Sequence, residues 1–123
     1  KVTVPDISGF DRTKYHYSNL CYGMSLSALI ELMKNKGYYF VGTNLQKMNA
    51  FFISEEFKKE DFFDKIIIKD LSNYTDSNIR DSRDLKYNLN FLTGKNKLRE
   101  IEDCEVINLA NENNNLVKLK DLL

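Results

Sequence analysis

The sequence predicts a single domain, or a fragment of one, of mixed α and β structure, and three observations support that fold class. Apolar residues recur with a helical period between about Ser25 and Lys36. Two runs rich in aromatic and β-branched residues follow directly, and such runs are typical of strands. A second helix and a second pair of strands are indicated near the C-terminus. With 123 residues, the chain 1–123 is long enough for one domain but not comfortably for two.

Composition narrows the kinds of partner that the chain is expected to bind. Lys and Arg together number 18 and Asp and Glu together number 18, so the formal net charge is zero. That balance lacks the positive surplus typical of nucleic-acid binding, and no apolar run reaches the roughly 18 residues of a membrane-spanning helix. We therefore expect no nucleic-acid partner and no membrane partner. A neutral chain also has little charge repulsion between copies, which favours self-association.

The first half of the chain is predicted to be an extended lead-in, a helix and a hairpin. Residues 1–20 form the lead-in, and because the chain begins with Lys1 and not Met we expect a piece of a longer protein. The helical period places four apolar side chains on one face of the helix: Leu26, Leu29, Ile30 and Met33. Ser25 can accept a backbone N–H at its start, and Gly37 can end it. Strands at Tyr38–Thr43 and Ala50–Ile53, joined by a polar loop, then form an antiparallel hairpin.

The second half is predicted to contain short elements around a long surface segment. Glu55–Asp64 is interpreted as a short helix, and Ile66–Ile68 as either a strand or an inward-packed helix end. Residues 70–90 are polar and are interpreted as surface. Thr93 is a suitable N-cap for a helix over Gly94–Glu102. Strands at Glu105–Leu109 and Leu116–Leu119, separated by an Asn-rich turn, form a second hairpin.

Few residues form a pattern that indicates catalysis or metal binding. His16 is the only histidine, and no partner is placed beside it by spacing, so a structural role is favoured. Cys21 and Cys104 are far apart and form no C-x-x-C motif, so we expect no metal site and reduced, inert thiols in a cytoplasmic protein. The carboxylates between Glu55 and Asp64 are interpreted as a solvated helix face.

Two groups of polar residues are candidates for ligand contacts. Asn44 and Asn49 bracket the hairpin loop, where their amides either bind a polar ligand or hold the turn's own backbone. Arg80, Arg83 and Asp84 lie in a short arginine-rich run in a chain that otherwise favours Lys. Because the guanidinium group binds carboxylates and phosphates through two parallel hydrogen bonds, this run is either an anion clamp or a network that holds a loop.

Taken together, several motifs resemble a family of bacterial methyltransferase-like proteins related to the FkbM-type S-adenosylmethionine-dependent methyltransferases. The motifs are YGMSLSAL at 22–29, KGY at 36–38, VGTN at 41–44 and NAFFI at 49–53. The later RDSRD at 80–84 and the LTG at 92–94 also resemble that family. Two positions depart from its pattern, since Met24 stands where the family usually has Ala and Lys47 about where it usually has Gly.

The resemblance implies that this chain is the distal part of a Rossmann-like methyltransferase sheet. Residues 22–54 would be a helix-plus-hairpin core unit and residues 55–123 a family-specific tail of helix and hairpin. The sequence contains no glycine-rich cofactor turn, so the resemblance implies no cofactor site in this chain and S-adenosylmethionine in the parent protein. The chain alone would not be catalytic, and its partner would be the N-terminal half of the parent. Asn44, Asn49, Arg80, Arg83 and Asp84 would be the substrate-binding residues.

A second interpretation belongs to a different class of protein. The neutral charge, the apolar hairpin and an open sheet edge also suit an autonomous interaction or oligomerisation module. On that interpretation the partner is a second copy of the chain, in a homodimer.

Overall fold

The computed structural model describes residues 1–74, 81–111 and 113–123. These ranges contain the strands β1 (Val2–Thr3), β2 (Tyr38–Thr43), β3 (Ala50–Ser54), β4 (Glu105–Asn108) and β5 (Leu116–Lys118). They also contain the helices α1 (Arg12–Tyr15), α2 (Leu26–Asn35), α3 (Phe63–Ile66) and α4 (Lys95–Glu100). Single 3-10 turns lie at Glu55–Lys59, Ser72–Tyr74 and Leu119–Leu122. The prediction of mixed α and β structure is therefore confirmed.

The strands form two small antiparallel sheets. One sheet has three strands in the order β1-β4-β5, and the other is the hairpin of β2 and β3. The chain divides into two compact units that each contain one of these sheets. The unit of Leu26–Asn78 is called the hairpin unit, and the unit of Lys1–Ser25 with Ile79–Leu123 is called the sheet unit. No helix in the described parts of the chain is long and apolar enough to cross a membrane.

The hairpin unit confirms the predicted helix and strand pair. Helix α2 begins at Leu26 and ends at Asn35, where Gly37 follows with a positive φ of 78° that favours glycine. Strand β2 covers the predicted range, and β3 extends one residue beyond it, to Ser54. The ladder shifts between Phe40 and Gly42, which is a β-bulge.

The isoleucine run Ile66–Ile68 was interpreted as either a strand or the end of a helix, and the structure shows where the helix ends. Helix α3 ends at Ile66, and its C-cap Ile67 is extended. The backbone N–H of Ile68 donates to the carbonyl of Phe40 at 2.9 Å, so the end of the run lies against β2. Phe63 of α3 is 2% exposed and contacts Tyr39 edge to face, with ring centroids 5.2 Å apart.

The sheet unit is built around β4, which pairs with β1 on one side and with β5 on the other. The C-terminal hairpin is confirmed, and Val106 of β4 is buried in the core. The N-terminal lead-in contributes β1 as a third strand.

The start of helix α4 differs from the prediction. Thr93 was expected to be its N-cap, but the cap is Gly94 at φ 52°, with no side-chain cap hydrogen bond, and the helix begins at Lys95. A positive φ at this junction is accessible to glycine at little steric cost, so the chain enters the helix through Gly94 instead of through a Thr93 cap.

Candidate functional site

The outer edge of β3 is a row of backbone groups available to another strand. The N–H of Asn44 donates to the carbonyl of Asn49, and the N–H of Glu55 donates to the carbonyl of Gly37, at 3.1 and 2.7 Å. In an antiparallel ladder, successive residues direct their backbone groups alternately toward and away from the partner strand. The backbone groups of Ala50, Phe52 and Ser54 therefore point away from β2. None of the backbone hydrogen bonds between described residues pairs this edge.

Both faces of the hairpin carry apolar side chains. On one face, Phe40 is 3% exposed and packs against Phe52 and Tyr74, at ring-centroid distances of 5.7 and 5.2 Å. On the other, Tyr39 packs against Phe63, while Phe51 is 53% exposed. Apolar residues on both faces are typical of strands inside a sheet that is covered on each side.

The opposite edge of the hairpin is already blocked. The carbonyl of Phe40 points away from β3 and accepts the N–H of Ile68, so the extended segment after α3 lies along β2. A covered edge cannot template a further strand, whereas an open one can. The hairpin therefore has one edge suited to strand addition, and it is the edge of β3.

The hairpin loop holds its own backbone through Asn44. Its side-chain oxygen accepts the N–H groups of Met48 and Asn49 at 2.9 and 3.1 Å, and its amide donates to Gln46 at 3.2 Å. These bonds agree with the turn interpretation of this residue. The Asn49 side chain is exposed at the end of the same loop. Lys47 has a φ of 54°, a value that favours glycine.

The arginine-rich run is placed only in part, because Arg80 lies outside the described residues. Asp84 closes a tight loop, since its carboxylate accepts the N–H groups of Lys86 and Asn88 at 2.8 and 2.9 Å. The hydrogen bond from the Asn88 backbone is the main cause that lowers the pKa of Asp84 below its ordinary value. Arg83 is exposed, and its backbone N–H donates to the carbonyl of Ser18 at 3.1 Å.

Ser82 fixes the arginine-rich run to the segment that contains Asn90 and Leu92. The side chain is fully buried, and its hydroxyl accepts the N–H of Leu92 at 2.6 Å and donates to the Asn90 side chain at 2.5 Å. Its carbonyl accepts the N–H of Asn90 at 3.0 Å. These bonds favour the interpretation of the run as a network that holds a loop. A serine within a polar run carries no pattern that would have indicated its burial.

His16 and Ser18 lie within hydrogen-bond distance of each other, as the members of a catalytic Ser–His dyad do. The Ser18 hydroxyl lies 2.7 Å from Nδ1 of His16, and the Ser18 N–H donates to the same nitrogen at 3.3 Å. Nδ1 is therefore an acceptor, and burial lowers the pKa of His16. Because Ser18 is fully buried, its hydroxyl cannot reach a substrate, so the pair stabilises the turn that follows α1.

The neighbouring Tyr17 is bound to a carboxylate of helix α4. Its hydroxyl donates to Glu100 at 2.6 Å, and this hydrogen bond raises the pKa of Tyr17 to about 12. Both residues line an open surface groove of about 550 Å³ together with Asp84 and Asn88. The groove is open and of mixed polarity, unlike the enclosed, mostly apolar pockets that hold small molecules.

The hairpin unit contains a more apolar cavity of about 340 Å³. Ile30 and Lys34 of α2, Tyr38 and Phe40 of β2, and Ile68 are among its lining residues. Its volume is at the low end of the range of about 300 to 1,000 Å³ that is typical of ligand sites.

The two cysteines meet inside the sheet unit, which sequence spacing did not indicate. Cys21 is 2% exposed and Cys104 6% exposed, and a hydrogen bond between the two side chains lowers the pKa of Cys21 and raises the pKa of Cys104. No group of three metal-ligating side chains occurs in the described ranges. Because both thiols are buried, neither is placed to meet a substrate.

Comparison with protein-family models, with curated proteins and with solved structures finds no match for this chain. The functional interpretation therefore depends on the geometry above and on the motifs of the sequence.

Proposed function

We propose that this chain is the C-terminal segment of a methyltransferase-like protein of the FkbM-related class, and that its hairpin unit completes a Rossmann-like sheet begun by a preceding half. The single observation that carries the proposal is the open edge of β3. A strand with apolar residues on both faces and one unpaired edge is suited to an inner position of a larger sheet.

The motifs of the resemblance support the same assignment. Helix α2, the glycine stop, β2 and β3 follow in the order that the motifs imply. Lys47 lies about where the family usually has Gly, and its backbone has the positive φ that glycine favours, so the loop geometry is compatible with the family pattern.

On this proposal the chain has no cofactor site, and S-adenosylmethionine binds to the preceding half in a cytoplasmic protein. Asn49 and Arg83 carry the exposed polar groups that would face the methyl acceptor. Asn44 and Asp84 use their side chains to close their own loops, so they would shape the acceptor site only indirectly.

The first experiment compares cofactor binding by this chain and by a longer protein that also contains the preceding half. Calorimetric titration with S-adenosylmethionine and S-adenosylhomocysteine is expected to give saturable binding only for the longer protein. Saturable binding by the present chain would overturn the assignment of the cofactor site. In the longer protein, unchanged methyl transfer by Arg83→Ala would remove Arg83 from the acceptor site.

A second experiment tests the edge of β3 directly. In the longer protein, Ala50→Pro removes an outward N–H and adds ring atoms along the edge, so it is expected to weaken association of the hairpin with the preceding sheet. Ala50→Val is the matched control, because it keeps the N–H. Equal behaviour of the two variants would exclude strand addition at β3.

The same edge supports a second candidate function, an autonomous oligomerisation module. Two copies of β3 could pair through their outward groups, and the zero net charge offers little repulsion. Sedimentation equilibrium over a wide concentration range tests this function. The module predicts a dimer that Ala50→Pro dissociates and Ala50→Val keeps, whereas a strictly monomeric mass would exclude it.

A further inference from the structure

The cavity of about 340 Å³ in the hairpin unit is bounded by α2, by β2 and by the segment that follows α3. That segment lies along the edge of β2 opposite to β3, since the N–H of Ile68 donates to the carbonyl of Phe40 at 2.9 Å. Further along the segment, the carbonyl of Leu71 accepts the N–H of Tyr74 at 2.9 Å, and the ring of Tyr74 packs against Phe40. The walls of the cavity are therefore held by the backbone and the core of the unit itself.

The lining of this cavity is mostly apolar. Aliphatic and aromatic side chains come from all three walls, and they are Ile30, Phe40, Ile67, Ile68 and Leu71. Phe40 is buried, whereas the four aliphatic side chains are half-buried and keep part of their surface in water. An occupant with an apolar body would remove that surface from water, which is the main source of affinity in small-molecule sites of this kind.

The charged residues that line the cavity are both lysines. Lys34 lies in the last turn of α2, Lys69 directly follows Ile68, and both side chains are exposed. No aspartate or glutamate of the described ranges is among the lining residues. The neighbouring Asp70 directs its carboxylate to the N–H of Ser72, which it accepts at 2.9 Å. Two ammonium groups beside an apolar cavity favour an occupant that carries a negative charge.

We propose that this cavity binds a small amphiphilic anion, with its apolar body between α2 and β2 and its anionic head group beside Lys34 and Lys69. Lysine acts as a point charge, so the shared chemistry is one anionic group, a carboxylate or a phosphate, on a short alkyl chain. The proposal does not rest on the proposed function. Among the described residues, neither β3 nor the acceptor candidates Asn49 and Arg83 line the cavity.

The experiment titrates the whole chain with sodium octanoate and follows binding by NMR. Octanoate is expected to bind saturably with a dissociation constant of about 1 mM or lower. Hexanoate is expected to bind about fourfold more weakly for each CH₂ that it lacks, because less apolar surface is covered. Octylammonium has the same chain and the opposite charge, so it is expected not to saturate. Absence of saturable octanoate binding would overturn the proposal, as would equal binding of octanoate and octylammonium.

The same titration locates the occupant. The methyl resonances of Ile30, Ile67 and Ile68 are expected to shift with one common dissociation constant, because these side chains line the cavity. Phe51, which is exposed on the hairpin, is expected to be unaffected. Shifts centred on Phe51 would show that the alkyl chain covers an exposed apolar patch, and would contradict binding in the cavity. Octyl phosphate then identifies the head group, since the tighter of the two octyl anions carries the preferred one.

Lysine variants separate a specific head-group contact from general attraction between charges. Lys34→Gln and Lys69→Gln are each expected to weaken octanoate binding about two- to fivefold, as removal of one partner from an exposed ion pair does. The double variant is expected to weaken it about tenfold. Lys36→Gln is the matched control, because Lys36 is exposed just beyond α2 and is not among the lining residues. If Lys36→Gln weakens octanoate binding as much as Lys34→Gln does, the anion is held by net charge alone and the proposed site is wrong.

Discussion

Strands β3 and β4 lie in similar hairpins but occupy different positions in their sheets. β4 has a partner on each side, and its residues alternate in accessibility, with Val106 buried and Glu105 exposed. β3 has the more apolar sequence, four consecutive apolar residues, yet no described residue pairs with its outer edge. A strand with the composition of an inner strand in an edge position is suited to pairing with a further strand. This difference supports the proposal that the hairpin unit is completed by a further strand.

The largest expected effect on stability comes from a proline substitution, which should be costly in β4 and cheap in β3. Along β4, the N–H of Asn108 points to β5 and that of Leu109 to β1, so Ile107 also donates toward β1. Ile107→Pro removes that donor inside a paired strand and is expected to lower the free energy of unfolding by about 3 kcal/mol. Ala50→Pro changes only an outward N–H and is expected to cost less than about 1 kcal/mol in the present chain. Chemical denaturation measures both, with Ile107→Val and Ala50→Val as controls, and similar losses would show that β3 is paired on both sides.

A second pair of substitutions tests how the faces of the hairpin are covered. Phe40 is 3% exposed and packs against two rings, so Phe40→Ala is expected to cost about 3 kcal/mol through the cavity that it leaves. Phe51 is 53% exposed, and Phe51→Ala is expected to change stability by less than about 1 kcal/mol. A large loss for Phe51→Ala in this chain would mean that its face is already covered, and would contradict the open hairpin.

A smaller change in stability is expected from a substitution in the hairpin loop, at Lys47. Lys47→Gly relieves a residue held at φ 54° and is expected to stabilise the protein by about 0.5 kcal/mol, even though the Lys47 ammonium also donates to the carbonyl of Asn73 at 2.8 Å. Lys47→Ala is the control, because it loses the same hydrogen bond and keeps the strain. If thermal unfolding shows glycine to be no better than alanine, the positive φ does not limit stability at this position.

The smallest expected effect is on the pH dependence of stability, and it comes from the His16–Ser18 pair of the sheet unit. Burial lowers the pKa of His16 below its ordinary value of 6.5. The folded protein therefore binds fewer protons than the unfolded chain, so this contribution to stability is present above that ordinary value and is lost as the pH falls through it. Because His16 is the only histidine, its imidazole resonance follows this titration directly by NMR. Ser18→Ala removes the hydroxyl donor to Nδ1 and is expected to raise the pKa, and an unchanged titration would exclude that hydrogen bond in solution.

Local patterns were sufficient for most of the elements. The helical period of Leu26, Leu29, Ile30 and Met33 and the glycine after it determine α2, because these signals act within a few residues. The aromatic runs on either side of a polar loop likewise determine the β2–β3 hairpin. The isoleucine run was ambiguous from sequence, and the structure resolves it: the N–H of Ile68 donates to the carbonyl of Phe40 and holds this residue against β2. The start of α4 differs from the predicted Thr93 cap, because Gly94 takes the cap position.

Some features of the candidate sites could be predicted from sequence, and others depend on tertiary contacts. Asn44 was recognisable from sequence as a turn residue, since its side chain binds backbone groups only a few positions away. The similar role of Asp84 in its own loop was not predicted. The meeting of Cys21 with Cys104, the burial of Ser82 and the open edge of β3 depend on contacts between segments that are distant in sequence. No spacing rule reaches across such separations, because loop closure brings distant residues together only when the packing of the whole unit stabilises the contact. The sequence by itself thus determined the local elements, whereas only the tertiary structure decided which side chains are buried and which backbone edge is left for a partner.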